Sequence, residues 1–281
     1  MTINYNLIYD IGMHKGEDTE YYLHKGFDVI AIEASPILFV EGKKKFSFFV
    51  DSEKLKILNV GISDIEGKMD FFLNKENSVW NSFDINIAQR KNAEIEIVHI
   101  RTSEITSIIK EFGVPYYMKI DIEGNDILCL KSLEQIQVKP KYISAEVNSF
   151  EIIQQMYKLG YSKFKLIDQF SLLPLEIPPI PAYASFMLDK NFRLSKNILI
   201  KVIRKSLGPI ITQCLLKKQR KLLNYPFQFG SSGAFGEQLP GQWLNFEEVT
   251  EVYNYYLSEH KRSGRDAGFN FWVDIHGEYE K

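Results

Sequence analysis

The chain has 281 residues, of which 45% are hydrophobic and 25% charged, with a formal net charge of -2. This is the composition of a globular protein that buries a real core, and it excludes a disordered, fibrous or disulfide-stapled small scaffold. The two cysteines, Cys129 and Cys214, stand apart without a CxxC spacing, so a cysteine zinc site is excluded and a reducing, cytoplasmic setting is expected. The opening residues lack a basic and then apolar leader, and no run of about 18 apolar residues occurs, so neither secretion nor a membrane span is expected.

From residue 5 to about 190, short apolar runs rich in Ile, Val, Phe and Tyr alternate with helical patterns. That alternation predicts an α/β fold, a parallel sheet with crossover helices. Strands are expected at 6–11, 28–33, 55–60, 69–73, 97–101, 116–121, 142–147, 163–168 and 183–188. Helices are expected at 17–25, 36–45, 103–112, 125–136 and 149–159. The proline-rich run 173–181 suits an extended connection rather than a helix or inner strand. Residues 225–244 place Gly, Ser and Pro among Phe227, Phe229, Phe235 and Trp243 and read as an ordered loop, and 246–262 reads as a helix. Two parts are expected: a ligand-binding domain over 1–190 and a helical and loop extension over 191–281.

The charge is uneven. Residues 190–224 hold ten Lys or Arg and no Asp or Glu. Ile198, Leu199, Val202, Ile203 and Leu207 recur at roughly helical spacing with Lys201, Arg204 and Lys205 opposite, which reads as a basic amphipathic helix pair broken at Gly208-Pro209. Such a segment packs on the domain with a solvated basic face, lies peripherally on an anionic membrane, or binds an anionic substrate. No recognition motif accompanies it and the chain as a whole is slightly acidic, so a nucleic-acid partner is not expected.

The chemistry concentrates at the first strand-to-helix turn, Asp10-Ile11-Gly12-Met13-His14-Lys15-Gly16-Glu17-Asp18-Thr19. Gly12 and Gly16 permit a tight turn and close approach of a ligand, and the helix start offers free N–H groups. The spacing is G-x-x-x-G rather than the G-x-G-x-x-G that seats a pyrophosphate, and Asp10, Glu17 and Asp18 would repel one. An acidic turn suits a ligand bearing an amine and a sulfonium, such as S-adenosylmethionine. Glu33 closes the next strand 21 residues after Gly12, about the offset at which a Rossmann-type fold places a carboxylate on ribose hydroxyls. Asn59-Val60-Gly61-Ile62-Ser63-Asp64 ends another strand on small groups beside which an adenine could lie, and Lys119-Ile120-Asp121-Ile122-Glu123-Gly124 places Asp121 at a further strand end. Taken singly these residues are also ordinary turn glycines and helix caps.

At these four segments, 10–19, 32–36, 60–64 and 119–124, the chain resembles the FkbM-type S-adenosylmethionine-dependent methyltransferases. The resemblance covers about residues 5–190. It implies a class I methyltransferase fold, a Rossmann-like open sheet with a seven-stranded core and helices on both faces, and O-methylation of a sugar, glycan or natural-product hydroxyl. His14 departs from the Asn common in the family at that turn.

The expected cofactor site is Asp10, Gly12, His14, Gly16, Thr19, Glu33, Ala34, Ser35, Ile62, Ser63 and Asp121. A sugar hydroxyl is a poor nucleophile, so a base is expected nearby. Asp121 is the first candidate, with cofactor orientation as its other role, and His14 is the second, with a bond to the cofactor carboxylate as its other role. A divalent metal is the less favoured option, with Asp121, Glu146 and Asn148 as its ligands. Trp80 and Asn81 combine a flat apolar face with an amide and suit a sugar, and Glu237 and Trp243 suit a lid over the acceptor. Two other readings are a nicotinamide-dependent sugar oxidoreductase or epimerase, and a non-catalytic scaffold at the membrane surface.

Overall fold

The structure, a computed structural model, describes residues 1–185, 187, 197, 199, 224–262 and 271–280. The lysines and arginines of the basic segment 190–224, and the expected boundary between 190 and 191, lie outside the described residues. The chain forms two compact units, Met1–Lys163 with Ile275–Lys281, and Phe164–Asp274.

In chain order the elements are β1 (Ile3–Ile11), α1 (Glu17–His24), β2 (Asp28–Ile32), α2 (Pro36–Lys45), α3 (Ser47–Asp51), β3 (Leu55–Leu58), β4 (Gly61–Ile62), β5 (Gly67–Asn74), α4 (Ile85–Ala88), β6 (Ile95–Ser103), α5 (Ile105–Phe112), β7 (Val114–Ile120), α6 (Asp126–Ser132), β8 (Tyr142–Glu146), α7 (Phe150–Lys158), β9 (Tyr161–Asp168), β10 (Leu173–Pro174) and β11 (Val273–Tyr279). In the first unit the sheet, counting the beginning of β9 and the end of β11, runs β9-β11-β8-β7-β1-β2-β3. The five strands β3, β2, β1, β7 and β8 are mutually parallel, with Tyr9 opposite Ile30 on one side and Met118 on the other, and Met118 opposite Ile143. Helices cover both faces of such a sheet, so its strands are apolar throughout rather than alternating. Ile8, Tyr9, Ile11, Tyr117, Met118 and Ile143 are all fully buried.

The order of connection creates the site. From β1 the chain proceeds outward through β2 and β3, then returns to the other flank of β1 at β7 and continues outward to β8. The strand order therefore reverses between β1 and β7, and in open α/β sheets the crevice beyond the carboxyl ends at that point receives the ligand. Asp10-Ile11-Gly12 and Lys119-Ile120-Asp121 are the two chain ends that meet there, with Asp10 opposite Lys119 and Ile11 opposite Ile120.

Two expectations are corrected. The strands at 69–73 and 97–101 exist, but they leave the main sheet and form a second one, β4-β6-β5, in which β5 and β6 run antiparallel from Gly67 opposite Thr102 to Asn74 opposite Ile95. Residues 183–185 belong to a helical turn over 181–185, not to a strand. Pro181 starts that turn, where its missing N–H costs nothing, and the Ala184 N–H bonds the Ile180 carbonyl. The strand order takes in β11 from the end of the chain instead.

In the second unit β9 continues and pairs antiparallel with β10, and Phe164 and Leu244 exchange backbone hydrogen bonds. The loop expected over 225–244 buries Phe227 and Phe235, and a single long helix, Phe246–Arg262, follows, whose Tyr256 packs edge-on against Tyr183.

Candidate active site

The turn after β1 is built around two glycines in the left-handed region. At Gly12, φ is 87° and a Cβ would lie 1.8 Å from the Asp121 carbonyl oxygen, so only glycine lets the turns after β1 and β7 approach this closely. Gly16, at φ 77°, caps α1 without a side chain, and a Cβ there would strike the Phe46 ring. The N–H groups of Gly12 and Met13 both bond the Ile32 carbonyl, fixing the turn against the end of β2.

Glu33 directly follows β2 and is buried to 6% exposure. One carboxylate oxygen accepts the His14 N–H and the other the Ser35 N–H, each at 2.8 Å. Asn59 secures the same corner by donating to the carbonyls of Glu33 and Ala34 at 2.9 and 3.1 Å. Burial pushes the Glu33 carboxyl up to about 7 against those two N–H donors. Each of its oxygens keeps a second lone pair, the capacity needed to accept from a pair of ribose hydroxyls.

Beneath the turn lies a buried charge cluster. Lys119, 3% exposed, places Nζ 3.5 Å from Asp10, 3.3 Å from Asp18 and 3.3 Å from Asp121, and donates to the Gly12 carbonyl at 3.3 Å. Burial disfavours the ammonium, but the three carboxylates outweigh it and hold Lys119 protonated, its pKa well above the ordinary lysine value. Asp10 also accepts the Thr19 hydroxyl at 2.5 Å. Burial, opposed by Lys119 and reinforced by Asp18, pushes the Asp10 carboxyl up to about 6. Asp10 and Thr19 are fully buried, so they shape the turn from below. Asp121, with its side chain 36% exposed, is the member of the cluster that reaches the surface of the crevice.

The segment following β5 crosses to this edge. Ser78 bonds His14, the Ser82 hydroxyl donates to the Glu123 carbonyl at 2.7 Å, and Arg90 pairs with the Glu123 carboxylate at 3.2 Å. Burial and the nearby Asp121 charge push Glu123 up to about 7, with Arg90 opposing. Trp80 and Asn81 ride on this segment. The Trp80 ring is half-buried beneath Lys91 Nζ at 4.9 Å from its centre, and Asn81 Oδ1 accepts the Asn74 N–H at 2.8 Å. Ile62 lies nearby as an anchor: its carbonyl accepts from Asn125 at 3.0 Å. The Ser63 N–H is taken by Ser103.

The structure thus gathers Asp10, Gly12, His14, Gly16, Thr19, Glu33, Ala34, Ser35 and Asp121 around one turn, with Ser78 and Ser82 tying the segment of Trp80 and Asn81 to it. Glu237 is exposed and Trp243 is half-buried with Lys165 Nζ over its ring, both within the second unit. Glu146 ends β8 one residue past the Ile120–Ala145 pair, and Asn148 is exposed. Among the described residues no group of three or more His, Cys, Asp or Glu is placed to hold a metal ion. From the sequence, Glu17 counts only as charge in the turn, Lys119 and Asn59 only as members of their segments, and Ser78 not at all. Lys119 was accessible in principle, because it stands two residues before Asp121 on the same strand face.

The residues fit an adenosyl ligand carrying positive charge. The cluster has three carboxylates against one ammonium, and the Glu33 carboxyl faces the same corner with oxygens able to accept from ribose hydroxyls. A parallel sheet reversing between β1 and β7, with a carboxylate directly after β2, is the Rossmann-like plan that class I methyltransferases share. The chain matches the family described as "Methyltransferase FkbM domain" over residues 10–177. It belongs to that family, and its activity is S-adenosylmethionine-dependent methyl transfer.

No curated protein matches the chain. Among solved structures it is similar to the precorrin-6y C5,15-methyltransferase of Geobacter metallireducens, at 10% identity over 59% of this chain and 68% of that one, with a TM-score of 0.34. It is also similar to the METTL16 methyltransferase domain, at 11% identity over 58% of this chain and 54% of that one, TM-score 0.36. A third is a putative sarcosine dimethylglycine methyltransferase of Galdieria sulphuraria, at 9% identity over 97% and 76%, TM-score 0.35.

Proposed function

We propose that the protein methylates a hydroxyl of a sugar, glycan or related small molecule. The observation that carries this reading is the bond from Ser78 to His14, which draws the segment bearing Trp80 and Asn81 onto the cofactor turn. A half-buried indole beside an amide is the lining that recognises a sugar ring by its apolar face and its hydroxyls. Bound S-adenosylmethionine supplies an electrophilic methyl group on a sulfonium.

The chain's own residues do the rest. Glu33 receives the ribose hydroxyls, with Ala34 and Ser35 beside it. The backbone of Gly12 to Gly16 and the edge at Ile62 and Ser63 hold the remainder of the cofactor, and Asp10 and Thr19 keep the turn in shape. The pair with Lys119 favours Asp121 as an orienting carboxylate for the positive end of the cofactor. His14 is then the base: the imidazole at the mouth of the turn offers a ring nitrogen as proton acceptor. Trp80 and Asn81 would hold the acceptor with its hydroxyl oriented for in-line transfer.

The test is incubation with methyl-labelled S-adenosylmethionine and a panel of free hexoses, glycosides and hydroxylated aglycones, followed by mass analysis of the product. Label in an ether methyl supports the reading. Transfer only to amines or to carbon refutes the hydroxyl specificity.

A further inference from the structure

His14, held at φ 52°, meets a side chain at each of its two ring nitrogens. Its Nε2 is 2.9 Å from Ser78 Oγ and its Nδ1 is 3.4 Å from Glu17 Oε1. The charged groups facing it are Glu17, at the start of α1, and Glu33 from the end of β2, which already accepts the His14 backbone N–H. Ser78 faces it from the segment after β5. Burial alone would raise the Glu17 carboxyl, but the hydrogen bond with His14, the Glu17 backbone N–H and the charges of His14 and Lys119 outweigh it and hold Glu17 below its ordinary range. Glu17 is therefore ionised at neutral pH and can only accept. The ring nitrogen turned toward it carries the proton, and the lone pair of the neutral imidazole falls on Nε2, aimed at Ser78.

We propose that Ser78, His14 and Glu17 form a proton relay for the acceptor hydroxyl, with Ser78 Oγ as the entry, His14 Nε2 as the terminal base and Glu17 as the positioning residue that fixes the tautomer. This rests on the hydroxyl-methylation reading above. As the acceptor oxygen bonds the methyl carbon, the sulfur–carbon electron pair stays on sulfur, which becomes a neutral thioether. The acceptor proton passes to Ser78 Oγ, the Ser78 proton passes to His14 Nε2, and the resulting imidazolium is neutralised by Glu17. After product release the proton leaves to water.

The test needs no acceptor. The protein is labelled with 15N-histidine and the His14 ring is assigned by its loss in His14→Asn. Its tautomer is then read from the nitrogen shifts at a pH where the ring is neutral. The relay predicts Nδ1 protonated and Nε2 bare in the wild type, loss of that preference in Glu17→Ala, and its retention in Ser78→Ala. A wild-type ring protonated on Nε2, or a Glu17→Ala ring unchanged from wild type, overturns it, and the wild-type result stands whether or not a variant folds. The labelled-methyl assay above separates the two readings: label in an ether methyl with the wrong tautomer sinks the relay alone, and label only on amines or carbon sinks the hydroxyl reading. In the transfer assay Ser78→Ala is expected to lower kcat by roughly tenfold or more with KM for S-adenosylmethionine unchanged, and an unchanged kcat contradicts the relay.

Discussion

At position 12 the backbone leaves no space for any side chain, and the consequence is measurable. Gly26 has a similar φ of 91° but nothing within 4 Å of a Cβ, so Gly26→Ala pays only for the left-handed backbone, about 1 to 2 kcal/mol. Gly12→Ala adds a collision with the Asp121 carbonyl and is expected to cost clearly more, and to abolish adenosyl binding, in a side-by-side comparison of thermal melts and titrations. Lys119 makes the second residue-scale prediction. Lys119→Met leaves Asp10, Asp18 and Asp121 together without a cation, a loss of about 3 to 5 kcal/mol by the usual penalty for breaking a buried ion pair from one side. A urea midpoint equal to wild type would show that the cluster is not the support of the turn. Glu33, Gly12 and Asp121 were legible in the sequence because strand ends in a βαβ alternation announce where ligands go. Lys119 shares a strand face with Asp121, a signal that only weakly competes with the expectation that a lysine in a strand is exposed, until the sheet shows that both of its neighbours are buried.

At the scale of elements, the second sheet has its own small core of Phe71, Leu73 and Ile100, with Ala34, Phe83 and Val98 packed against it. Phe71 meets Phe83 edge to face at 5.0 Å, which links this core to the segment that carries Trp80 and Asn81 toward His14. Phe71→Ala is expected to cost about 3 kcal/mol in chemical denaturation and to speed amide exchange in β5 and β6 ahead of β1 and β7. Uniform exchange across both sheets would contradict that separation. The sequence showed these strands as apolar runs but not their partner: about twenty residues without a tight hairpin turn separate them, so nothing local announces antiparallel pairing. The misplaced strand at 183–188 has a comparable cause. Tyr183 is apolar and fully buried, but it is buried from a helical turn that Pro181 begins. The α1, α2, α5 and α7 helices were readable because a glycine, a Ser-Pro start or a clear apolar stripe marks each of them.

For the whole molecule, the buried carboxyls set the response to pH. Asp10 and Asp126 are pushed up to about 6, and Glu33 and Glu123 to about 7, in each case chiefly by burial. The folded state therefore holds protons that the unfolded chain, with carboxyls near 4, has already released. Between about pH 4 and pH 7 the native state binds more protons, and its stability falls as the pH rises through that window. The urea midpoint is expected to be higher at pH 5.5 than at pH 7.5, and Glu33→Gln, which cannot ionise, is expected to flatten the difference. A midpoint that rises toward pH 7.5 would contradict these assignments. The described residues contain no helix long and apolar enough to cross a membrane.

The most direct measurement is calorimetric titration of the wild type and Glu33→Ala with S-adenosylmethionine, S-adenosylhomocysteine and NAD. Micromolar binding of the two adenosyl ligands and none of NAD is expected. Glu33→Ala is expected to weaken the adenosyl ligands by roughly tenfold to a hundredfold, the worth of hydrogen bonds from the ribose to a carboxylate. Binding of NAD alone, or adenosyl binding that Glu33→Ala leaves unchanged, would contradict the role given to the turn and to Glu33.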